Sequence, residues 1–137
     1  MTRIRLLAPF LLLVPLAGCA ATAQAGPPPA IVQHVTIHWS RFHPATFDFA
    51  EGTTVRFVIH NTDPIDHEFI LGSRAVQEHI ERTAHPDHDG SVPGQISVPA
   101  GATVETTYTF GRPGTVLLGC HVAGHYAYGM RGKVRVS

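Results

Sequence analysis

From residue 31 onward, apolar and polar side chains alternate with the two-residue period of a half-buried strand. Val32, His34, Thr36 and His38 interleave with Gln33, Val35, Ile37 and Trp39, and Phe47 and Phe49 flank Asp48 in a second short run. Thr53 to His60 is rich in β-branched residues and predicts a strong strand, which Asn61-Thr62-Asp63-Pro64 breaks. Asp66 to Leu71 predicts another, closed by Gly72. The pattern then changes. Ser73 is placed to cap a short helix through Ala75, Val76, Glu78, His79, Ile80 and Arg82, with Pro86 and Gly90 ending the excursion. Strands resume at Gln95–Val98, Thr103–Phe110, Thr115–Leu118 and Gly132–Val136, separated by turn sequences such as Arg112-Pro113-Gly114. Seven or eight short strands with one helical insertion predict an all-β fold, a Greek-key antiparallel β-sandwich.

The first residues read differently. Arg3 and Arg5 precede an apolar stretch from Leu6 to Leu16 and then small residues, the layout of an export signal. Two processing sites compete. Leu16-Ala17-Gly18-Cys19 resembles a lipobox with an acylated cysteine, and Ala23-Gln24-Ala25 an ordinary cleavage site. The expected organisation is a signal and processing region over 1–25, a Pro-rich linker over 26–30 built on Pro27-Pro28-Pro29, and one domain over 31–137. The expected location is the periplasm or the outer face of a bacterial membrane, with membrane contact only through a lipid on Cys19.

That compartment makes the cysteine count informative. With Cys19 removed or lipidated, Cys120 stands alone and cannot form an internal disulfide. A lone thiol in an oxidising compartment is a liability unless buried or bound to metal. Charge excludes one class of partner. The chain is neutral overall, with 10 basic and 10 acidic side chains and no basic run interleaved with aromatics, so nucleic-acid binding has no support. Ten histidines are the compositional outlier and hint at metal handling.

The last eighteen residues concentrate that chemistry. Cys120, His125 and Met130 are spaced C-x4-H-x4-M, with Gly119, Gly124 and Gly129 punctuating the loop. Thiolate and thioether favour Cu(I), imidazole accepts either state, and two histidines, a cysteine and a long axial methionine make a blue-copper site. His67, in Asp66-His67-Glu68-Phe69, is the best candidate for the second imidazole.

The run Gly119-Cys120-His121-Val122-Ala123-Gly124-His125 through Met130, with His67 upstream, resembles the cupredoxins, the small blue-copper proteins. Its loop spacing is similar to that of rusticyanin and auracyanin. The resemblance covers residues 31 to 137 and implies one copper ion cycling between Cu(I) and Cu(II). His67, Cys120 and His125 would be its strong ligands and Met130 the weak axial one. Where many relatives place an Asn or Ser after the first histidine to brace the cysteine sulfur, this chain has Glu68.

The neighbours of the ligands have plainer expectations. Adjacent residues at a strand end point to opposite faces, so His121 should face out or pack under the site, and Glu68 should be a solvated rim carboxylate. His79, His85 and His88, among acidic residues, offer a labile second metal site, although a polar surface loop is the simpler expectation. His34, His38, His43 and His60 have no partner spacing. A dinuclear copper centre would need a second loop cysteine, and multicopper-oxidase chemistry needs His-x-His pairs; neither is present. A Cys120–His125 nucleophile pair would leave Met130 unexplained, so no enzymatic activity is expected. The expected function is a monomeric electron carrier with a redox-protein partner. The alternative is a copper-binding or copper-carrier protein that works with copper-handling proteins and has no redox shuttle.

Overall fold

The computed structural model describes residues 31–83 and 87–137, so the expected leader, the proline linker and His85 lie outside the described residues. Nine strands and one helix follow in order: β1 (Ile31–Ile37), β2 (Phe42–His43), β3 (Thr46–Phe49), β4 (Thr54–Asn61), β5 (His67–Gly72), α1 (Arg74–Arg82), β6 (Gln95–Val98), β7 (Thr103–Thr109), β8 (Gly114–Gly119) and β9 (Arg131–Val136). They form two sheets, ordered β2-β1-β4-β7 and β3-β9-β8-β5-β6. The sandwich is as the pattern predicts, but the sheets are mixed rather than wholly antiparallel. β1 runs parallel to β4 and β3 parallel to β9. The chain changes sheet between β2 and β3, so both early strands meet later partners without a hairpin to reverse them.

Alternation decides what enters the core. On β4, Val55, Phe57 and Ile59 are fully buried while Arg56 and His60 are exposed. Phe57 meets Phe69 of β5 at 5.1 Å between ring centroids, and Phe42, Phe47 and Phe110 complete an aromatic centre between the sheets. Each such ring contributes about 1.5–3 kcal/mol by leaving water. The core cluster continues through Leu118 to Cys120 and Met130, so the ligand loop is rooted in the best-packed part of the molecule.

β5 departs from simple alternation, since all six of its residues are buried. Phe69 and Leu71 enter the sandwich core, and the other face lies under α1. The helix starts where Ser73 caps it, its hydroxyl accepting the Val76 N–H at 3.3 Å. Its buried Gln77 donates from Nε2 to the carbonyls of Ile70 and Leu117, tying α1 across β5 and β8. A Cβ on Gly72 would come within 2.6 Å of Val76, so only glycine permits this approach.

Candidate metal centre

Three of the residues singled out by type converge. His67 opens β5, Cys120 follows β8, and His125 lies midway along the loop that leads into β9. Their ligand atoms all lie within 4.8 Å of one another, and no other such group of His, Cys, Asp or Glu occurs among the described residues. His67 Nδ1 is 3.2 Å from His125 Nδ1, while Cys120 Sγ is 3.4 Å from His125 Nδ1 and 3.9 Å from His67 Nδ1. A triangle with those sides has its centre about 2.0 Å from each corner, comparable with bonds from imidazole and thiolate to a first-row metal. One soft thiolate and two imidazole donors at that separation fit copper.

The loop is shaped by its own backbone. His125 N–H donates to the Val122 carbonyl, Met130 N–H to His125, and Cys120 N–H to Met130 at 3.2 Å, closing the loop at its base. Gly124 and Gly129 sit at φ +84° and +93°, in the left-handed region that favours glycine. Arg41, from the segment before β2, clasps the loop from outside, its Nη2 donating to the Tyr128 carbonyl at 3.0 Å. Met130 is fully buried in the core cluster with Cys120.

Sequence reasoning did not find the group that orients His67. Asp63, only 8% exposed, places Oδ2 3.0 Å from His67 Nε2. Its two oxygens also accept the N–H groups of Trp39 and Ser40, each at 2.8 Å. With Nε2 engaged, Nδ1 is the nitrogen left facing Cys120 and His125. Burial alone would raise the Asp63 pKa, but the N–H bonds from Ser40 and Trp39 and the His67 ring outweigh it, and the net shift is downward. The signal lay in Asn61-Thr62-Asp63-Pro64, read only as a strand breaker.

One expectation is corrected and another resolved. Glu68 is not a solvated rim carboxylate. It is 5% exposed, and Oε2 accepts the His121 N–H at 3.0 Å. Its own N–H points at Cys120 Sγ at 3.4 Å, so the backbone supplies a brace to sulfur without an Asn or Ser side chain. Of the two placements expected for His121, facing out or packing under the site, the structure has the second: it lies on the face opposite Cys120, outside the donor cluster and 1% exposed. Nε2 donates to Gln77 Oε1 at 2.7 Å, Nδ1 lies 2.6 Å from Glu81 Oε2, and the ring stacks on Tyr126 at 4.7 Å. His121 is buried by the cover that α1 gives to the outer face of β5 and β8, and Glu68 sits between His121 and His88.

The remaining described histidines stay apart from the cluster. His79 is exposed on α1, and His88 lies 3.8 Å from Glu68 with Nε2 buried and without a hydrogen bond. His38 and His60 bond to Thr62 and Thr103, and His34 and His43 are exposed.

The electrostatics suit a site that exchanges a proton for a metal. Burial pushes the Cys120 thiol up from 9.0 to about 11, against N–H bonds from Glu68 and Val122 that pull it down. Burial lowers the His125 pKa, and the His67 ring lowers it further. The metal-free centre therefore holds a thiol and a neutral His125 at pH 7.

A sandwich of this topology with a Cys-His-His donor set at one end defines a copper-binding, cupredoxin-like protein. The fold is that of auracyanin B, which superposes with a TM-score of 0.65 at 23% identity, over 82% of this chain and 93% of that one. No protein-family model matches the chain. In sequence it is 43% identical over 121 residues to the copper-resistant cuproprotein CopI of Rubrivivax gelatinosus, covering 87% of this chain and 70% of that protein. The CopI of Pseudomonas aeruginosa is 26% identical over 126 residues, covering 69% and 70%. This chain belongs to the CopI family.

Proposed function

We propose that this chain is a mononuclear type 1 copper protein that carries single electrons at the cell envelope. His67 and His125 would hold copper through Nδ1, Cys120 through Sγ, and Met130 through its thioether. The observation that carries the reading is the convergence of the His67, Cys120 and His125 donor atoms within 4.8 Å at the buried end of the sandwich. Bound copper would supply a one-electron Cu(I)/Cu(II) couple, with the thioether favouring Cu(I).

The chain's own part is to hold the donors still and keep water out. Asp63 fixes the His67 ring through Nε2, and the Glu68 N–H faces the sulfur. His67, Cys120 and Met130 are at most 1% exposed, whereas His125 is only half-buried and gives electrons a short route to the surface. Ligands held this way need little rearrangement when the metal changes charge. The proposed role is non-enzymatic, since a Cys120–His125 nucleophile pair would leave Met130 unexplained. Replacing Cys120 with Ser should abolish the visible thiolate-to-copper absorption. Met130→Gln should leave copper bound and lower the potential, on the order of 0.1 V. A retained band in the first variant, or an empty site or unchanged potential in the second, contradicts the assigned ligands.

A second reading has its own support. The relatives in Rubrivivax and Pseudomonas are described as copper-resistant cuproproteins, which favours holding or delivering copper without a redox shuttle.

A further inference from the structure

A groove of about 660 Å³ runs between α1 and the β8–β9 side of the sandwich, away from the donor atoms. Its floor is apolar, with Leu117 and the ring of Tyr126. Four cations border it from two sides: Arg74 and Arg82 at the two ends of α1, and Arg131 and Lys133 on β9. Arg74, Arg131 and Lys133 have no carboxylate within 4.0 Å among the described residues. The groove's own carboxylates are engaged, Glu81 with His121 at 2.6 Å and Glu78 with Arg82 at 4.0 Å. Arg131 is also positioned in advance, its guanidinium lying 5.1 Å from the Tyr126 ring centroid.

A concave apolar floor of this size with a few convergent charges is the usual form of a small-molecule site. The sign of the charges selects the ligand. Each of Arg74, Arg131 and Lys133 is a donor without a carboxylate acceptor, and a carboxylate or sulfonate would provide one in a charge-assisted bond. The undescribed residues of the chain cannot provide it, since 1–30 and 84–86 contain no Asp or Glu. We propose that this groove binds a small organic anion with an apolar body, the acid group between Arg74, Arg131 and Lys133 and the body over Leu117 and Tyr126. Tyr126 follows His125 and Arg131 follows Met130, so the site abuts the ligand loop without using its donor atoms.

The proposal does not depend on copper, and metal-free protein tests it. Anilinonaphthalene sulfonate is titrated while backbone amide shifts are followed by NMR, with the uncharged phenylnaphthylamine as the matched probe. Shifts should map to Arg74, Tyr126 and Lys133, and the sulfonate should bind more tightly than the uncharged probe. The double variant Arg74→Gln, Lys133→Gln removes two exposed cations and should raise the sulfonate Kd at least tenfold, a loss of about 1.4 kcal/mol. Added salt should weaken the sulfonate alone, which supports the assignment independently of the variant's folding. Equal affinity for the two probes, an unchanged Kd in the double variant, or shifts confined to exposed Trp39 and Tyr128 would overturn it. So would a Glu-rich peptide that occupies the groove when the sulfonate does not, because the partner would then be a protein.

Discussion

Asp63 and His67, four residues apart, are joined by a 3.0 Å contact between Oδ2 and Nε2 that turns the other imidazole nitrogen toward Cys120. Partners of this kind fix a ligand's tautomer and orientation, and losing one typically costs ten- to a hundredfold in metal affinity. Asp63 also accepts from Trp39 and Ser40, both in the left-handed region at φ +52° and +50°, so the same carboxylate holds a strained loop beside the site. Asp63→Asn should weaken copper binding about tenfold or more, measured by competition with a chromogenic chelator. Unchanged affinity would show that His67 needs no such partner. The lowered Asp63 pKa has a matching sign. Its stabilisation is present above 3.8 and is lost as pH falls below that value, so metal-free protein should loosen in acid less steeply in the variant.

Copper uptake should release a proton from Cys120. The buried thiol titrates at about 11 in metal-free protein, so the site is protonated at neutral pH and the metal must displace that hydrogen. Affinity should then rise about tenfold per pH unit from near-neutral pH toward 11, and unbuffered titration should report one proton from the thiol per copper at pH 7. A pH-independent affinity would mean that a different donor set is used. The same shift acts on stability with the opposite slope. The folded thiol holds its proton above the ordinary 9.0, so metal-free protein should lose stability between pH 9 and 11.

His121 should matter for the fold and not for the metal. His121→Phe keeps the stacking on Tyr126 but leaves Gln77 Oε1 buried without a donor, a cost of about 1–3 kcal/mol. For a domain of this size, that lowers Tm by roughly 5–15 °C. The visible copper band should persist. A lost band at unchanged Tm would place His121 among the ligands.

The strands were legible because β4 and β7 alternate strictly and are bounded by Gly, Pro and Asn turns. His67, Cys120 and His125 were legible because ligand type and loop spacing carry their own chemistry. Asp63 was not, since its meeting with Trp39, Ser40 and His67 exists only once the loops before β2 and before β5 lie side by side. Glu68 was misplaced because strand alternation assumes one wet face, and that face is covered by His121, His88 and α1. A hint existed in Phe69-Ile70-Leu71-Gly72, where consecutive apolar residues mark a strand buried on both sides. The parallel pairing of β1 with β4 and β3 with β9 depends on long-range closure that no local pattern records.

Electron carriage requires that the metal stay in place while its charge changes. The direct measurement is the visible spectrum and bound-copper content of the protein through repeated chemical reduction and reoxidation. A strong Cu(II) band near ~600 nm should bleach on reduction and return in full, with one copper per chain retained throughout. Absence of the band, or copper released on reduction, would contradict an electron-carrying centre at His67, Cys120, His125 and Met130 and leave a protein that holds or hands over copper.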